Sequence, residues 1–320
     1  MIHISVIVPV FNEHESLQEL SDWVIRVMDE HRFNYELIFI NDGSTDGSWD
    51  FIRAIAAQNP MIKAVSFTRN YGKSAALDMG FSIAAGQVVI TMDADLQDSP
   101  DEIPSLYNKI IEEGYDVVSG WKKVRHDPLS KTIPSKFFNK ITRWISGINL
   151  HDFNCGLKAY HHQVVKNVHI YGEMHRYIPL IAKWNGFTKI GEQVVEHRPR
   201  IYGVTKFGWE RYLNGFLDLI SVSFVNRYRK KPMHFFGTLG TLSFLAGFFI
   251  TFYLIFQKIY GIYQGFKVRE VTDQPLFYLA LVALIIGAQL FLTGFLAEMM
   301  IFNHSKKADY NVAERLNSES

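Results

Sequence analysis

Two long apolar runs near the C-terminus constrain this chain more than any other feature. Phe235 to Phe256 contains no charged residue, and Leu276 to Phe302 contains only Glu298. A helix needs about 20 apolar residues to cross the hydrocarbon core of a bilayer, and each run is long enough. Gly237, Gly240 and Gly247 in the first run, and Gly287 and Gly294 in the second, permit close helix packing. Residues before about Arg229 have the composition of a soluble domain. With 320 residues the chain is long for one compact body and invites a split. The expected domains are a cytosolic catalytic domain over 1–229, a two-helix transmembrane domain over 230–304 and a cytosolic tail over 305–320.

Within the first 229 residues, strand and helix alternate. Ile4 to Val10 is short and β-branched, as a buried parallel strand is. The helix expected over Ser16–Glu30 presents Leu17, Leu20, Val24, Val27 and Met28 on one face. Strands are expected at Tyr35–Ile40, Lys63–Phe67, Val88–Met92 and Asp116–Ser119, and helices at Ser48–Ala57, Ala75–Ala85 and Pro100–Glu113. Ser44 or Asp46 is placed to cap the helix from Ser48. This alternation predicts an α/β fold with a doubly wound, mostly parallel sheet and helices on both faces. Such sheets bind ligands outside the carboxyl ends of their strands. Asp42, Arg69 to Lys73, and the pair Asp93 and Asp95 all fall at those ends. Two carboxylates one residue apart, where the chain leaves a strand, suit a hard divalent cation such as Mg²⁺ or Mn²⁺ shared with a substrate diphosphate. Neither G-x-G-x-x-G after the first strand nor G-x-x-x-x-G-K-[ST] is present, which counts against dinucleotide dehydrogenases and P-loop proteins.

Composition excludes other classes. The formal net charge of +1 implies no nucleic-acid-binding surface. The single cysteine, Cys155, rules out an internal disulfide framework and fits a reducing compartment. Met1 to Val10 begins with no basic region and reads as a strand rather than a signal peptide. A basic stretch from Lys122 to Lys140 overlaps Ile133, Phe137, Phe138, Ile141, Trp144 and Ile145 at roughly helical spacing. Trp209, Tyr212, Leu213, Phe216, Leu217 and Ile220 repeat that pattern. Both, over about 130–148 and 206–228, are expected to lie as amphipathic helices in the membrane interface. Arg227, Arg229, Lys230 and Lys231 precede the first run and Lys306 and Lys307 follow the second. The segment between the runs balances Lys258, Lys267 and Arg269 against Glu270 and Asp273. The positive-inside rule therefore puts both flanks, and with them both termini and the catalytic domain, on the cytoplasmic side.

Four stretches occur in a telling order: Pro9-Val10-Phe11-Asn12-Glu13, Asn41-Asp42-Gly43-Ser44-Thr45-Asp46, Arg69-Asn70-Tyr71-Gly72-Lys73 and Asp93-Ala94-Asp95-Leu96-Gln97. On these, the chain resembles the inverting family 2 glycosyltransferases of the GT-A fold. With the two apolar runs it resembles the polyprenyl-phosphate glycosyltransferases, the group of dolichol-phosphate mannose synthases and bactoprenol glucosyltransferases. The resemblance covers most of the chain and is strongest over residues 4–125. It implies transfer of a sugar from a nucleotide-sugar of the UDP-glucose or GDP-mannose type to a polyprenyl phosphate, in a bacterial inner membrane. The partners are then the donor, the lipid phosphate and the bilayer, with a homo-oligomer left open.

The resemblance also implies roles. Pro9, Glu13, Asp42, Lys73, Asp93, Gln97 and Arg200 would bind the nucleotide-sugar. Asp93 and Asp95 would hold the metal, and Asp95 and Asp152 would be the catalytic residues. Lys122, Lys131, Ser135 and Lys206 would take the lipid phosphate. The family's Gly-aromatic-Arg stretch after the acceptor-side acid is replaced here by Gly156-Leu157-Lys158, and Lys131 stands where the family has Arg, keeping charge but losing the bidentate fork. A processive polysaccharide synthase is a poorer match. The nearest approach to Q-x-x-R-W is Lys140-Ile141-Thr142-Arg143-Trp144, which has Lys for Gln and lies before Asp152 rather than after it. A membrane-anchored family 2 enzyme acting on another acceptor is the alternative, and a non-catalytic scaffold is disfavoured by the intact acidic motifs.

Overall fold

The computed structural model describes residues 1–123, 139–170, 172–199, 224, 228 and 231–304, the last four by backbone alone. They fall into two compact units, one within residues 1–220 and the other within 221–310.

The first unit is built on a seven-stranded sheet. Its strands are β1 (Ile4–Val10), β2 (Tyr35–Asn41), β3 (Ile62–Ser66), β4 (Val88–Thr91), β5 (Val117–Trp121), β6 (Lys158–His161) and β7 (Ile190–Val194). The order across the sheet is β3-β2-β1-β4-β6-β5-β7. All pairs are parallel except those of β6, which runs antiparallel between β4 and β5. The sheet is thus mostly parallel, as expected, with one inserted reversed strand that the sequence pattern does not announce. Lys158-Ala-Tyr-His is four residues long, too short for a period to show.

Helices cover both faces. α1 (His14–Glu30), α2 (Ser48–Gln58) and α4 (Ile103–Ile111) pack on one; α3 (Lys73–Ile83), α6 (His162–Asn167) and α7 (Ile178–Trp184) pack on the other, and a helix α5 spans 139–146. Alternate strand residues divide between the two cores. Val6, Val8, Leu37, Phe39 and Ile90 face the first; Ile7, Ile38, Ile40 and Val89 face the second. Because both faces are covered, β2 is buried along its whole length. The expected helix over Pro100–Glu113 opens as a 3-10 turn, Pro100–Glu102, and becomes α-helical from Ile103.

Chain order reverses between β1 and β4. From β1 the chain winds outward through β2 and β3, then returns to place β4 on β1's other side. That crevice, beyond the carboxyl ends of β1 and β4, is where sheets of this kind bind ligands.

The second unit pairs two long helices, α8 (Pro232–Tyr263, 32 residues) and α9 (Pro275–His304, 30 residues). Both are long and apolar enough to cross a membrane. Most of their large side chains, Phe249, Phe256, Leu279 and Leu296 among them, are exposed, unlike those of a water-soluble core helix. The glycines let the two backbones meet. A Cβ on Gly240 would lie 2.7 Å from Gly287 O, one on Gly247 2.6 Å from Ala280 O, and one on Gly287 2.5 Å from Phe244 N. Ser243 Oγ also donates to Ala283 O at 2.9 Å. The pairing Gly240 with Gly287 and Gly247 with Ala280 makes the helices antiparallel, so both ends of the pair return to one side. Glu298, the lone charge in its run, accepts the N–H of Met233 at 3.3 Å. It supplies one of the acceptors that the first turn of α8 lacks.

Candidate active site

The turn after β1 and the turn after β2 are laced together. Asn12 N–H donates to Ser44 Oγ (3.0 Å) and Thr45 N–H returns to Asn12 Oδ1 (2.8 Å). His14 N–H donates to Asp46 Oδ2 and Glu13 N–H to Ser48 Oγ. Asn12 holds a left-handed backbone (φ 55°), a conformation its short amide side chain tolerates. The cap position of the helix from Ser48 is Gly47 rather than Ser44 or Asp46, and Asp46, one residue before it, accepts the Ser48 N–H at 3.0 Å. Pro9 and Glu13 therefore sit on a braced ledge beside the crevice, both partly exposed.

Asp42, just past β2, is 4% exposed. Its two oxygens accept the N–H groups of Tyr71 (2.7 Å) and Gly72 (2.9 Å). Burial pushes this carboxyl up, and the two hydrogen bonds only partly oppose that. Asp42 thereby fixes the loop that leads into α3. Gly43 is crossed closely by that loop: a Cβ there would lie 2.3 Å from the carbonyl carbon of Arg69. Gly72, at φ +91°, takes a backbone that other residues rarely adopt, and Lys73 follows as the first residue of α3.

At the end of β4, Lys73 forms an ion pair with Asp93. Burial alone would raise the Asp93 carboxyl, but the charge and hydrogen bond of Lys73, with Lys122 and Lys158 behind, outweigh it and hold the group at about 2. Lys122, beyond β5, pairs with the fully buried Asp98 at 2.7 Å. Burial disfavours its ammonium, yet the charge of Asp98 more than restores it, and the net shift is upward. Lys158, at the start of β6, is 4% exposed and donates to Cys155 O. Burial lowers its pKa. The register Thr91↔Lys158 and Ser119↔Lys158 brings these three chain segments to one edge.

Asp95 is partly exposed, and one of its oxygens accepts the Gln97 N–H at 3.2 Å. Gln97 is anchored in turn, accepting the Arg198 N–H at 3.0 Å, while Asp98 bridges to His197. The guanidinium of Arg198 lies 4.2 Å from the Trp23 ring centre. Asp152 is 2% exposed, and its Oδ1 accepts the Asn154 N–H at 3.0 Å. Its own carbonyl is held by Ser119 Oγ at 3.1 Å.

The crevice thus gathers Pro9, Glu13, Asp42, Lys73, Asp93, Asp95 and Gln97 around the ends of β1, β2 and β4, with Lys122 at the end of β5. Lys131, Ser135, Arg200 and Lys206 lie outside the described residues, as do most of the two expected interfacial stretches. Of these, α5 shows Trp144 at 84% exposure, and Phe224 and Tyr228 are described apart from their neighbours.

Three participants escape sequence reasoning. Gly156 makes room for Asp93, since a Cβ there would lie 2.5 Å from Asp93 Oδ2. Asp98 is the counterion of Lys122. Lys158 is part of the positive field on Asp93. Asp98 follows the acidic motif closely enough to have been noticed; the other two depend on β6, which has no clear signature.

No group of three or more His, Cys, Asp or Glu side chains is gathered for a metal among the described residues. Asp93 and Asp95 supply two hard oxygen donors, with the Asp93 carboxyl held low by the lysines beside it. That set fits a divalent cation which takes its remaining ligands from bound phosphates and water.

Comparisons with known proteins show the family and the fold. The family model described as "Glycosyl transferase family 2" matches residues 5–168. The chain is 37% identical over 303 residues to dodecaprenyl-phosphate galacturonate synthase of Rhizobium johnstonii, covering 93% of this chain and 88% of that one. It is 35% identical to undecaprenyl-phosphate 4-deoxy-4-formamido-L-arabinose transferase of Shewanella sediminis, covering 92% and 86%. Among solved structures, glucosyl-3-phosphoglycerate synthase of Mycobacterium tuberculosis, in complex with Mn²⁺, UDP-glucose and phosphoglyceric acid, shares the fold at a TM-score of 0.52. It is 21% identical and covers 69% of this chain and 80% of that one. S. aureus TarS 1–349 with UDP-GlcNAc also has a TM-score of 0.52, at 18% identity, covering 70% and 67%.

Proposed function

The chain belongs to glycosyl transferase family 2, and from that premise we propose that it moves a sugar from a nucleotide-linked donor to a polyprenyl phosphate. It is a glycosyltransferase with a GT-A fold and two C-terminal helices able to cross a membrane. The observation that carries the reading further is the ionised Asp93 beside Asp95 at the end of β4, ringed by Lys73, Lys122 and Lys158. A cluster of that kind suits the diphosphate of a donor. The relatives named for polyprenyl-phosphate substrates supply the acceptor class. Their names also widen the transferred sugar beyond glucose and mannose to galacturonate and 4-deoxy-4-formamido-L-arabinose.

The residues divide the work. Glu13 and Asp42 border the nucleotide; both Asp42 oxygens already accept a hydrogen bond and retain a further lone pair each. Asp93 and Asp95 would hold Mg²⁺ or Mn²⁺, which when bound neutralises charge on the leaving diphosphate. Lys73 adds a positive group close to the same charge. An oxygen of the lipid phosphate bonds to the anomeric carbon as that carbon's bond to the diphosphate breaks. The nucleoside diphosphate departs and the centre inverts. A phosphate monoester is already largely anionic at neutral pH, with a second pKa of about 6. Asp152 therefore orients the acceptor or the sugar rather than removing a proton. Lys122, Lys131, Ser135 and Lys206 form the acceptor-side set.

Purified protein supplied with undecaprenyl phosphate and a panel of radiolabelled UDP-sugars and GDP-mannose should yield a solvent-extractable labelled lipid with one donor. Labelling of a soluble acceptor, with no lipid product from any donor, would overturn the acceptor assignment. Asp95→Ala should lower cation-dependent transfer by about 10²-fold or more; full activity would remove Asp95 from the site.

A further inference from the structure

The three lysines around Asp93 are not equivalent. Lys122 is 13% exposed and locked to Asp98, which is fully buried. Lys158 is buried and bound to a backbone carbonyl. Lys73 and Asp93 keep 32% and 35% of their side-chain surface exposed. Their pair reaches solvent and is the one of the three arrangements free to open. The backbone beneath it is not free. Asp42 holds the N–H groups of Tyr71 and Gly72, and α3 begins at Lys73 itself. Any exchange at Asp93 is then a swing of the Lys73 side chain over a fixed base. Space exists beside it, since a Cβ on Gly72 would meet no atom within 4 Å.

Asp93 also cannot serve a cation well as it stands. One carboxylate carries an ammonium, and the other, Asp95, already accepts the Gln97 N–H. No third His, Cys, Asp or Glu joins them among the described residues. A divalent cation arriving alone meets two part-used carboxylates in a field of three positive groups. A cation arriving with a diphosphate brings its own oxygen ligands and offers Lys73 another anion.

Resting on the reading of this crevice as a cation-assisted donor site, we propose that Lys73 is a displaceable counterion. Its ammonium pairs with Asp93 and moves to the donor diphosphate when the cation takes Asp93. The exchange makes cation and donor binding conditional on one another. Linkage requires the dependence to be reciprocal: the factor by which nucleotide tightens the cation equals that by which the cation tightens nucleotide.

The test uses the full chain in detergent, Mn²⁺ followed by electron paramagnetic resonance and UDP by calorimetry, without turnover. In the unaltered protein UDP should tighten Mn²⁺ about tenfold or more, and Mn²⁺ should tighten UDP by the same factor. Lys73→Met should bind Mn²⁺ alone about tenfold more tightly than the unaltered protein, with the coupling reduced to a few-fold at most. Lys73→Arg keeps the charge and should keep the weak cation binding. Lys73→Gln gives a second neutral side chain should the Met variant fold poorly, as judged by its melting. If the neutral variants bind Mn²⁺ no more tightly while the unaltered protein shows coupling, the counterion proposal fails and the donor-site reading stands. If the unaltered protein binds no Mn²⁺ even with UDP, the cation-assisted reading fails and the proposal with it.

Discussion

A Cβ on Gly156 would lie 2.5 Å from Asp93 Oδ2 and 2.6 Å from its Cγ. The Gly156 backbone cannot retreat easily, since its carbonyl is held by Thr91 Oγ1 at 2.9 Å, whereas the Asp93 side chain keeps 35% of its surface exposed. Gly156→Ala should therefore displace the carboxylate rather than unfold the sheet. A shift of about 1 Å at a reacting centre can cost roughly 10²-fold in rate, and transfer at saturating donor should fall by about that much. Far-ultraviolet circular dichroism, unchanged alongside such a loss, would place the effect at the site; unchanged turnover would show that Asp93 tolerates the shift. Asp93 and Asp95 were legible in the sequence because acidic residues at the end of an apolar strand declare themselves over a few positions. Gly156 was not, because its reason for being glycine lies in another segment of the chain. The neighbouring thiol makes the same point. Cys155 could be counted in the sequence, but its chemistry follows from burial, with Asp98 adding to it, which pushes its pKa up to about 12.

Elements in the first unit are joined by one buried carboxylate. Glu36, at the second position of β2 and 1% exposed, accepts from Ser5 Oγ of β1 (2.5 Å) and the Ala85 N–H before β4 (2.6 Å). Lys63 of β3 pairs with its other oxygen at 2.6 Å. Burial raises this carboxyl, but the bonds from Lys63, Ser5 and Ala85 together bring it below its ordinary value of 4.5. A depressed folded-state pKa means that the contribution is fully present above pH 4.5 and is lost as pH falls through the folded value. Glu36→Gln should cost about 2 kcal/mol at neutral pH, or roughly 4–8 °C of melting temperature for the unit. The deficit should shrink on acidification below that value; a deficit independent of pH would show that charge is not what Glu36 contributes. The strands it joins were readable from β-branched runs between turn residues, whereas β6 and β7 were not. Their short runs lack alternation, and they gain their pairing from neighbours distant in sequence, β6 from β4 and β5 and β7 from β5. In the second unit the glycines were readable as a packing face, and the geometry adds which of them bear the contact. Gly287→Val would drive a side chain against the backbone of Phe244. It should destabilise the helix pair by about 1–3 kcal/mol, seen as earlier thermal aggregation in detergent.

For the whole molecule, the antiparallel pair requires that both ends of a membrane-crossing α8 and α9 share one side, but the fold does not say which. Charge supplies the choice. Arg227, Arg229, Lys230 and Lys231 precede the first helix and Lys306 and Lys307 follow the second, while the connecting turn is nearly balanced. Basic loops stay cytoplasmic, so the proposed arrangement keeps the first unit in the cytoplasm and puts the turn around Gln264 outside. The chain is well suited to the measurement. Its one cysteine is buried, with its thiol held far above the pH of labelling, so an added cysteine reports without removing the native one. Gln264→Cys, exposed in the turn, should react with a membrane-impermeant maleimide on intact cells. Gln18→Cys, exposed on α1, should react only in inverted vesicles. The opposite pattern would overturn the orientation and move the donor site to the other face. Labelling of both positions from the same side would show instead that α8 and α9 do not cross the bilayer, and the polyprenyl phosphate would then have to be met at its surface.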